Sequence, residues 1–122
     1  MTKKVLIADD EPNIVISLEY LLRREGFEVF VAADGEEALA KARAERPDLV
    51  LLDVMMPKMN GFDVCQALRA DPEMAATRIL MLTAKGRDTE VSKGLGLGAD
   101  AYVTKPFSTK ELVAQARQLL GL

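Results

Sequence analysis

Polar residues that could carry out chemistry stand at the ends of four apolar runs of the sequence. These residues and the preceding runs are Asp9 and Asp10 after VLIA, Asp53 after LVLL, Thr83 after ILML and Lys105 after AYVT. If the runs are strands of one parallel sheet, the polar side chains meet at its carboxyl edge, where such sheets bind ligands. Three acids, one hydroxyl and one amine would then converge, a set suited to metal binding and phosphoryl chemistry.

The three acids of this set need a cation if they lie close together. Two unit charges about 4 Å apart oppose each other by roughly 4 kcal/mol at an effective dielectric constant near 20. Hard carboxylate oxygens suit Mg²⁺, which takes one or two protein carboxylates plus a phosphate oxygen. We therefore expect Mg²⁺ as the cofactor, with Asp10 and Asp53 as direct ligands and Asp9 acting through water.

Each of these residues also has a structural explanation when taken alone. Asp9 or Asp10 could cap a helix that begins at Pro12, because acids are common N-cap residues. Thr83 could be a turn hydroxyl, and Lys105 could be a solvated cation. The functional interpretation depends on all of them standing at matching ends of four strands.

Composition narrows the possible functions. The 122 residues fit one domain, and 16 basic and 19 acidic residues are interleaved to a net charge of −3, which argues against direct binding of nucleic acid. The absence of histidine excludes serine-triad chemistry, most zinc sites and a phosphohistidine carrier. The short apolar runs predict no signal peptide and no membrane contact, so the cytoplasm is the expected compartment.

The single cysteine, Cys65, cannot form an internal disulfide. It shares an apolar helical stretch with Val64 and Leu68, which predicts a packed core residue and not a reactive thiol.

Apolar runs alternate with segments of helical periodicity along the whole chain. The five predicted strands are Val5–Ala8, Glu28–Ala32, Leu49–Leu52, Ile79–Leu82 and Ala101–Thr104. The five predicted helices run from Pro12 to Gly26, from an Asp34 cap to before Pro47, from Asn60 to before Asp71, from Arg87 to Leu95, and from a Ser108 cap onward.

This alternation predicts an α/β fold, a flavodoxin-like doubly wound (βα)5 domain with a five-stranded parallel sheet. The strands that begin at Val5, Leu49 and Ile79 are continuously apolar, as central strands buried on both faces must be. The remaining two are shorter or more mixed, so they belong at the edges. The predicted strand order is 2-1-3-4-5.

The sequence resembles the response-regulator receiver family over essentially its whole length. The matching features are the acidic pair Asp9-Asp10, Asp53 within LLDVMMPKMNG with Pro57 and Gly61, Thr83-Ala84, Lys105-Pro106-Phe107, and Tyr102. The resemblance implies a single receiver domain over residues 1–122. Chemotaxis receivers also have the strand order 2-1-3-4-5, so that prediction and the resemblance are not independent.

The family resemblance implies a role in two-component signalling. Asp53 would accept a phosphoryl group from the phosphohistidine of a sensor kinase or of a phosphotransfer protein, with Mg²⁺ supplied by solution. Lys105 and Thr83 would partner the phosphoryl oxygens. The acidic pair would bind the metal, and the backbone carbonyl of Met55 would complete its shell.

The resemblance also implies how the signal would end and where it would go. Thr83 and Tyr102 would act as switch residues, and the output would leave through the face formed by the fourth helix, fifth strand and fifth helix, toward a downstream protein or output domain. Met55 and Lys85 would set the phosphoryl lifetime. Ala101 replaces an acid common where members of the family dimerise, and we expect a monomer before phosphorylation.

Three other functions fit part of this pattern. A phosphatase of the haloacid dehalogenase type also uses an aspartate and Mg²⁺ after a strand, but it expects a second acid where Met55 stands. A flavin or nucleotide module would need a glycine-rich loop after the first strand. A receiver-like module that is never phosphorylated remains a third alternative, although every required side chain is present.

Overall fold

The computed structural model describes residues 2–84 and 88–122, and its elements alternate along the chain. In order they are β1 (Lys4–Ala8), α1 (Pro12–Arg24), β2 (Glu28–Ala32), α2 (Gly35–Glu45), β3 (Leu49–Asp53), α3 (Gly61–Ala70), a 3₁₀ turn (Pro72–Met74), β4 (Arg78–Ala84), α4 (Asp88–Gly96), β5 (Ala101–Lys105) and α5 (Thr109–Leu119). Within the described ranges, no helix is long and apolar enough to cross a membrane.

The five strands form one parallel sheet in the order β2-β1-β3-β4-β5. This confirms the predicted fold class and strand order. Every residue of β3 is buried, whereas β2 and β5 at the edges each contain an exposed residue. The continuous apolar character of the central strands therefore reflects cover on both faces of the sheet.

Side chains alternate between two apolar cores, one on each face of the sheet. Along β1, Val5 and Ile7 pack with buried residues of α1 and α5, while Leu6 and Ala8 pack with buried residues of α2 and α3. Cys65 lies fully buried in the second core, as predicted. The two cores therefore hold the sheet between two layers of helices.

The predicted caps at Asp34 and Ser108 are confirmed, and Asn60, predicted as the start of the third helix, is the N-cap of α3. The side chains of Asp34, Asn60 and Ser108 each accept a hydrogen bond from the backbone N–H three residues on. After α1, Gly26 adopts a φ of +92°, and the N–H groups of Gly26 and Phe27 bond to carbonyls of the last turn. This is the left-handed helix ending expected of a glycine at that position.

The structure differs from the sequence-based boundaries in small ways. Asp53 and Lys105 are the last residues of β3 and β5. The strands predicted from the apolar runs end one residue earlier, at Leu52 and Thr104. The strands extend because their backbone pairing continues after the apolar side chains stop. A 3₁₀ turn at Pro72–Met74 was not predicted, and the predicted start of the fourth helix at Arg87 lies outside the described residues.

Candidate functional site

Three carboxylates meet at the carboxyl edge of the sheet. Asp9 and Asp10 follow β1, Asp53 ends the neighbouring strand β3, and one carboxylate oxygen from each lies within 4.8 Å of the other two. Asp9 and Asp53 are buried, whereas Asp10 is exposed. The convergence expected from the ends of the apolar runs is therefore present, at the point where the crossovers from β1 and β3 lead to opposite faces of the sheet.

Neither acid of the pair is the N-cap of α1. Glu11 is the capping residue, and its own side chain makes no capping bond. Asp9 Oδ1 instead accepts the Glu11 backbone N–H at 2.9 Å. This bond orients the Asp9 carboxylate through one oxygen, while the other oxygen faces the site. Asp9 can therefore make its local backbone contact and still take part in the site.

Lys105 joins the acids from the end of β5. Its Nζ lies 2.8 Å from Asp9 Oδ2, 3.1 Å from Glu11 Oε1 and 3.5 Å from Asp53 Oδ1. The peptide bond to Pro106 is cis. Lys105 is thus an ion-pairing residue of the site and not a solvated surface cation.

Glu11 is the site residue that sequence reasoning missed. Glu11 belongs to none of the motifs described above. The sequence feature that could have indicated its role is its position directly after the acidic pair. Its contact with Lys105 joins residues 94 positions apart, which no local pattern reports.

The hydroxyl of Thr83 is buried and has no hydrogen-bond partner among the described residues. Buried polar groups are nearly always paired, so an unpaired one at a cluster of charges is suited to receive an incoming acceptor. Tyr102 pairs with Met81 in the β4–β5 register and is 42% exposed, so its ring stands outside the core. The two residues predicted as switches are therefore in different environments, one buried and one open to solvent.

The loop after β3 is folded tightly against the acid that precedes it. The Met55 N–H donates a long hydrogen bond, 3.4 Å, to Asp53 Oδ1, and the Met55 side chain is largely exposed. At the end of the loop, the Gly61 N–H bonds to the Val54 carbonyl at 2.8 Å. The metal-binding role of the Met55 carbonyl stays a prediction, and Lys85 lies outside the described residues.

The electrostatics of the site oppose ionisation of Asp53. Burial raises the pKa of its carboxyl to about 7, and the nearby charge of Asp9 acts in the same direction. The Lys105 ammonium counters this only in part. Burial alone would lower the pKa of Lys105, but its hydrogen bond to Asp9 and the charge of Asp53 outweigh burial and raise that pKa.

These observations fit a divalent cation. Asp9, Asp10, Asp53 and Glu11 carry four formal negative charges when ionised, and among the described residues the ammonium of Lys105 is the cation paired with them. Carboxylate oxygens within 4.8 Å of one another match the hard oxygen ligands that Mg²⁺ prefers. The acidic cluster could therefore hold a metal ion, with the exposed Asp10 open to solvent for entry.

A sheet of this order with an acidic, lysine-paired site at its carboxyl edge defines a receiver domain. The family model described as response regulator receiver domain matches residues 5–117. The chain therefore belongs to the response-regulator receiver family and is a receiver domain of two-component signalling. This confirms the resemblance drawn from the sequence and gives no support to the dehalogenase-type phosphatase.

Similar proteins include a transcriptional regulatory protein and a DNA-binding response regulator. The chain is 52% identical over 120 residues to the alkaline phosphatase synthesis transcriptional regulatory protein PhoP of Bacillus subtilis, covering 98% of this chain and 49% of that protein. It is 51% identical over 120 residues to the DNA-binding response regulator MtrA of Mycolicibacterium smegmatis, covering 98% and 51%. The chain spans about half the length of the curated relatives it matches.

Solved structures of similar shape come from other signalling systems. The chemotaxis response regulator CheY4 of Vibrio cholerae superposes with a TM-score of 0.92 at 37% identity, covering 98% of this chain and 99% of that one. The receiver domain of the sensor histidine kinase PA1611 of Pseudomonas aeruginosa, with a magnesium ion coordinated in its active-site cleft, superposes with a TM-score of 0.91 at 28% identity and full coverage of both chains.

Proposed function

We propose that this receiver domain accepts a phosphoryl group on Asp53 from a phosphohistidine of a sensor kinase or a phosphotransfer protein. The observation that carries the proposal is the position of Asp53, buried at the end of β3, 3.5 Å from the Lys105 ammonium and within 4.8 Å of oxygens of Asp9 and Asp10. The domain would act catalytically only on its own phosphorylation and dephosphorylation.

The transfer needs positioning more than covalent chemistry. An Asp53 carboxylate oxygen attacks phosphorus, and the new O–P bond forms as the P–N bond to the imidazole breaks. The electron pair leaves with the imidazole, which takes up a proton. Lys105, whose Nζ lies 3.5 Å from Asp53 Oδ1, would contact the new oxygens. The buried Thr83 hydroxyl, which has no hydrogen-bond partner in the part of the chain that the structure describes, would donate to one of them.

Mg²⁺ would be held by carboxylates of Asp10 and Asp53, by Asp9 through water and by the Met55 carbonyl. When bound, it neutralises charge on the equatorial phosphoryl oxygens. The acidic cluster supports this assignment, because it brings together negative charge that a cation would neutralise. The magnesium in the cleft of the PA1611 receiver domain is consistent with it.

The output would leave through α4, β5 and α5. Thr83 would move toward the phosphoryl oxygens, and the exposed Tyr102 would turn inward. Tyr102 lines a groove of about 780 Å³ on this face, together with Leu95 of α4 and Gln115 of α5. A change in Tyr102 would therefore alter the surface that a downstream protein or output domain contacts.

The unphosphorylated domain would be a monomer. Asp100, at the edge of this groove, is already engaged within the chain: Oδ2 lies 2.7 Å from Arg69 Nη2 and accepts the Ile79 N–H at 2.8 Å. Its neighbour Ala101 carries no charge. The Asp100 carboxylate is therefore already paired within the chain and is not available to bind a second copy.

The first experiment uses phosphoramidate as the donor in the presence of Mg²⁺, followed by intact-protein mass spectrometry. The expected result is a hydrolysable mass gain of one phosphoryl group that is absent in Asp53→Asn and dependent on Mg²⁺. Asp48→Asn, at the opposite end of β3, is the matched control and should be phosphorylated normally. No mass gain on the wild-type protein would instead identify a receiver-like module that is never phosphorylated.

A second arm measures the metal directly. Mg²⁺ that binds the native state raises the melting temperature according to its concentration over its dissociation constant. Millimolar Mg²⁺ should raise the melting temperature of the wild-type protein. The Asp10→Asn variant should need a higher Mg²⁺ concentration for the same rise. A melting temperature unmoved by Mg²⁺ would rule out the proposed metal site.

A further inference from the structure

We infer that Glu11 is a positioning residue for phosphoryl transfer, which holds the Lys105 ammonium away from Asp53 before transfer and competes with the phosphoryl group for it afterwards. This inference rests on the proposed function. It concerns a residue outside the motifs through which the chain resembles its family.

The first argument comes from how Lys105 distributes its contacts. Its ammonium has three donors and faces three carboxylates, but the two short contacts are to Asp9 at 2.8 Å and Glu11 at 3.1 Å. Asp53, the proposed nucleophile, is the most distant of the three at 3.5 Å. Before transfer, the cation is therefore bonded mainly to the β1–α1 segment.

The second argument is that hydrogen bonds fix the Glu11 backbone, while its side chain takes no part in capping the helix. Its N–H is bonded to Asp9 Oδ1 at 2.9 Å, and its carbonyl accepts the Val15 N–H at 3.1 Å. Its side chain makes no capping bond to α1, although Glu11 is the capping residue. The side chain reaches instead across to Lys105, the ion pair that the structure records for it.

The third argument is that the contact can be exchanged. The side chain of Glu11 is 59% exposed, whereas that of Asp9 is 0% exposed. An exposed carboxylate keeps most of its hydration and holds a cation weakly, so it can be replaced by a stronger anion. New phosphoryl oxygens on Asp53 would be such an anion, since charge-assisted bonds to phosphate are strong. The ion pair between Lys105 and Glu11 would then break, and Lys105 would bond to the phosphoryl oxygens instead.

The test is a double-mutant cycle of Glu11→Gln and Lys105→Met. Phosphorylation by phosphoramidate is followed as a rate at saturating Mg²⁺. Removing the competitor should raise the rate by about two- to fivefold, the range expected for an exposed ion pair, and this gain should disappear in the Lys105→Met background. Glu19→Gln, a loss of the same charge farther along α1, is the control and should leave the rate unchanged.

A readout independent of phosphorylation follows the Lys105 side chain by NMR in metal-free protein. Glu11→Gln should shift the Lys105 Cε and Nζ signals, and Glu19→Gln should not. Melting curves of both variants check that the fold is intact.

Each outcome decides the inference. An equal gain in both backgrounds would mean that Glu11 acts only by repelling the anionic donor, and it would overturn the inference. An unchanged rate or unchanged Lys105 signals in Glu11→Gln would overturn it too. A wild-type protein that phosphoramidate never phosphorylates would overturn the proposed function, and this inference with it, whereas the first two results leave the proposed function standing.

Discussion

Gly61 lies directly against the backbone of Asp53. A Cβ atom built on Gly61 would stand 2.3 Å from the Asp53 carbonyl oxygen and 2.9 Å from the Cα of Val54. Both neighbours are backbone atoms, which cannot rotate away as a side chain could. The first turn of α3 can therefore approach the end of β3 only because residue 61 has no side chain.

Gly61→Ala should accordingly displace Asp53 or the start of α3. We expect a loss of about 2 kcal/mol or more in the free energy of unfolding, together with slower phosphorylation. Denaturant unfolding and the phosphoramidate assay measure the two effects. Gly96→Ala is the control, because nothing lies within 4 Å of a Cβ at that position. A Gly61→Ala protein as stable and active as the wild type would mean that the close approach is unimportant.

The raised pKa of Asp53 predicts how the stability of the metal-free protein depends on pH. The folded carboxyl has a pKa of about 7 and the unfolded one an ordinary value of 3.8. Between these values the folded state holds more protons, so the free energy of unfolding falls as pH rises through this window. Asp53→Asn removes the dependence.

The advantage of Asp53→Asn over the wild type in the free energy of unfolding should thus grow by roughly 2 kcal/mol between about pH 5 and about pH 8 in chelator. Urea unfolding at both pH values measures it. Asp63→Asn, an exposed change of the same kind on α3, should show no such growth. A difference that does not vary with pH would contradict the electrostatic description of the site.

Arg69, near the end of α3, bonds to the segments that precede β4 and β5, at the end of the sheet away from the acidic site. Its guanidinium donates to the carbonyls of Gly98 at 2.8 Å and Thr77 at 2.7 Å, and to the Asp100 carboxylate at 2.7 Å. Arg69→Met should destabilise the fold by about 2 kcal/mol or more, because it leaves partly buried acceptors unpaired. Arg43→Met is the comparison: that side chain is 54% exposed, its ion pair with Asp71 is 3.7 Å long, and the expected loss is below about 1 kcal/mol. If the two variants lost equal free energy of unfolding in thermal or urea unfolding, the hydrogen bonds of Arg69 would have no special stabilising role.

Local sequence patterns were sufficient to predict the sheet and the meeting of Asp9, Asp53 and Lys105 at its carboxyl edge. The apolar runs that end at Asp9, Asp53 and Lys105 mark both the strands and the edge where ligands bind, because strand burial and parallel topology are expressed in consecutive residues. The caps at Asp34 and Ser108 were predictable for the same reason, because the capping residue and its partner lie three positions apart.

Contacts that charged side chains outside the motifs make with distant segments were not predictable. Glu11 and Arg69 look like ordinary charged residues at helix ends, and their partners Lys105 and Gly98 are 94 and 29 positions away. A long, flexible side chain has many possible partners, and only the folded backbone selects one. The sequence therefore predicted the meeting of the three acids with Lys105 and missed Glu11, the residue that shares Lys105 with them.

The lifetime of the phosphorylated state should depend on Met55 and Lys85, which stand two residues beyond Asp53 and Thr83. The Met55 side chain is 68% exposed beside the acceptor, so it can cover the approach of water but cannot orient it by a hydrogen bond. Lys85 has no carboxylate that could do so. Self-hydrolysis should therefore be slow, and a Met55→Asn, Lys85→Glu variant should lose its phosphoryl group about tenfold faster or more. Single-turnover decay at fixed pH and Mg²⁺ measures this, with the exposed change Lys110→Glu on α5 as the charge control. Equal or slower decay of the double variant would show that water reaches the phosphorus by a path that these two residues do not control.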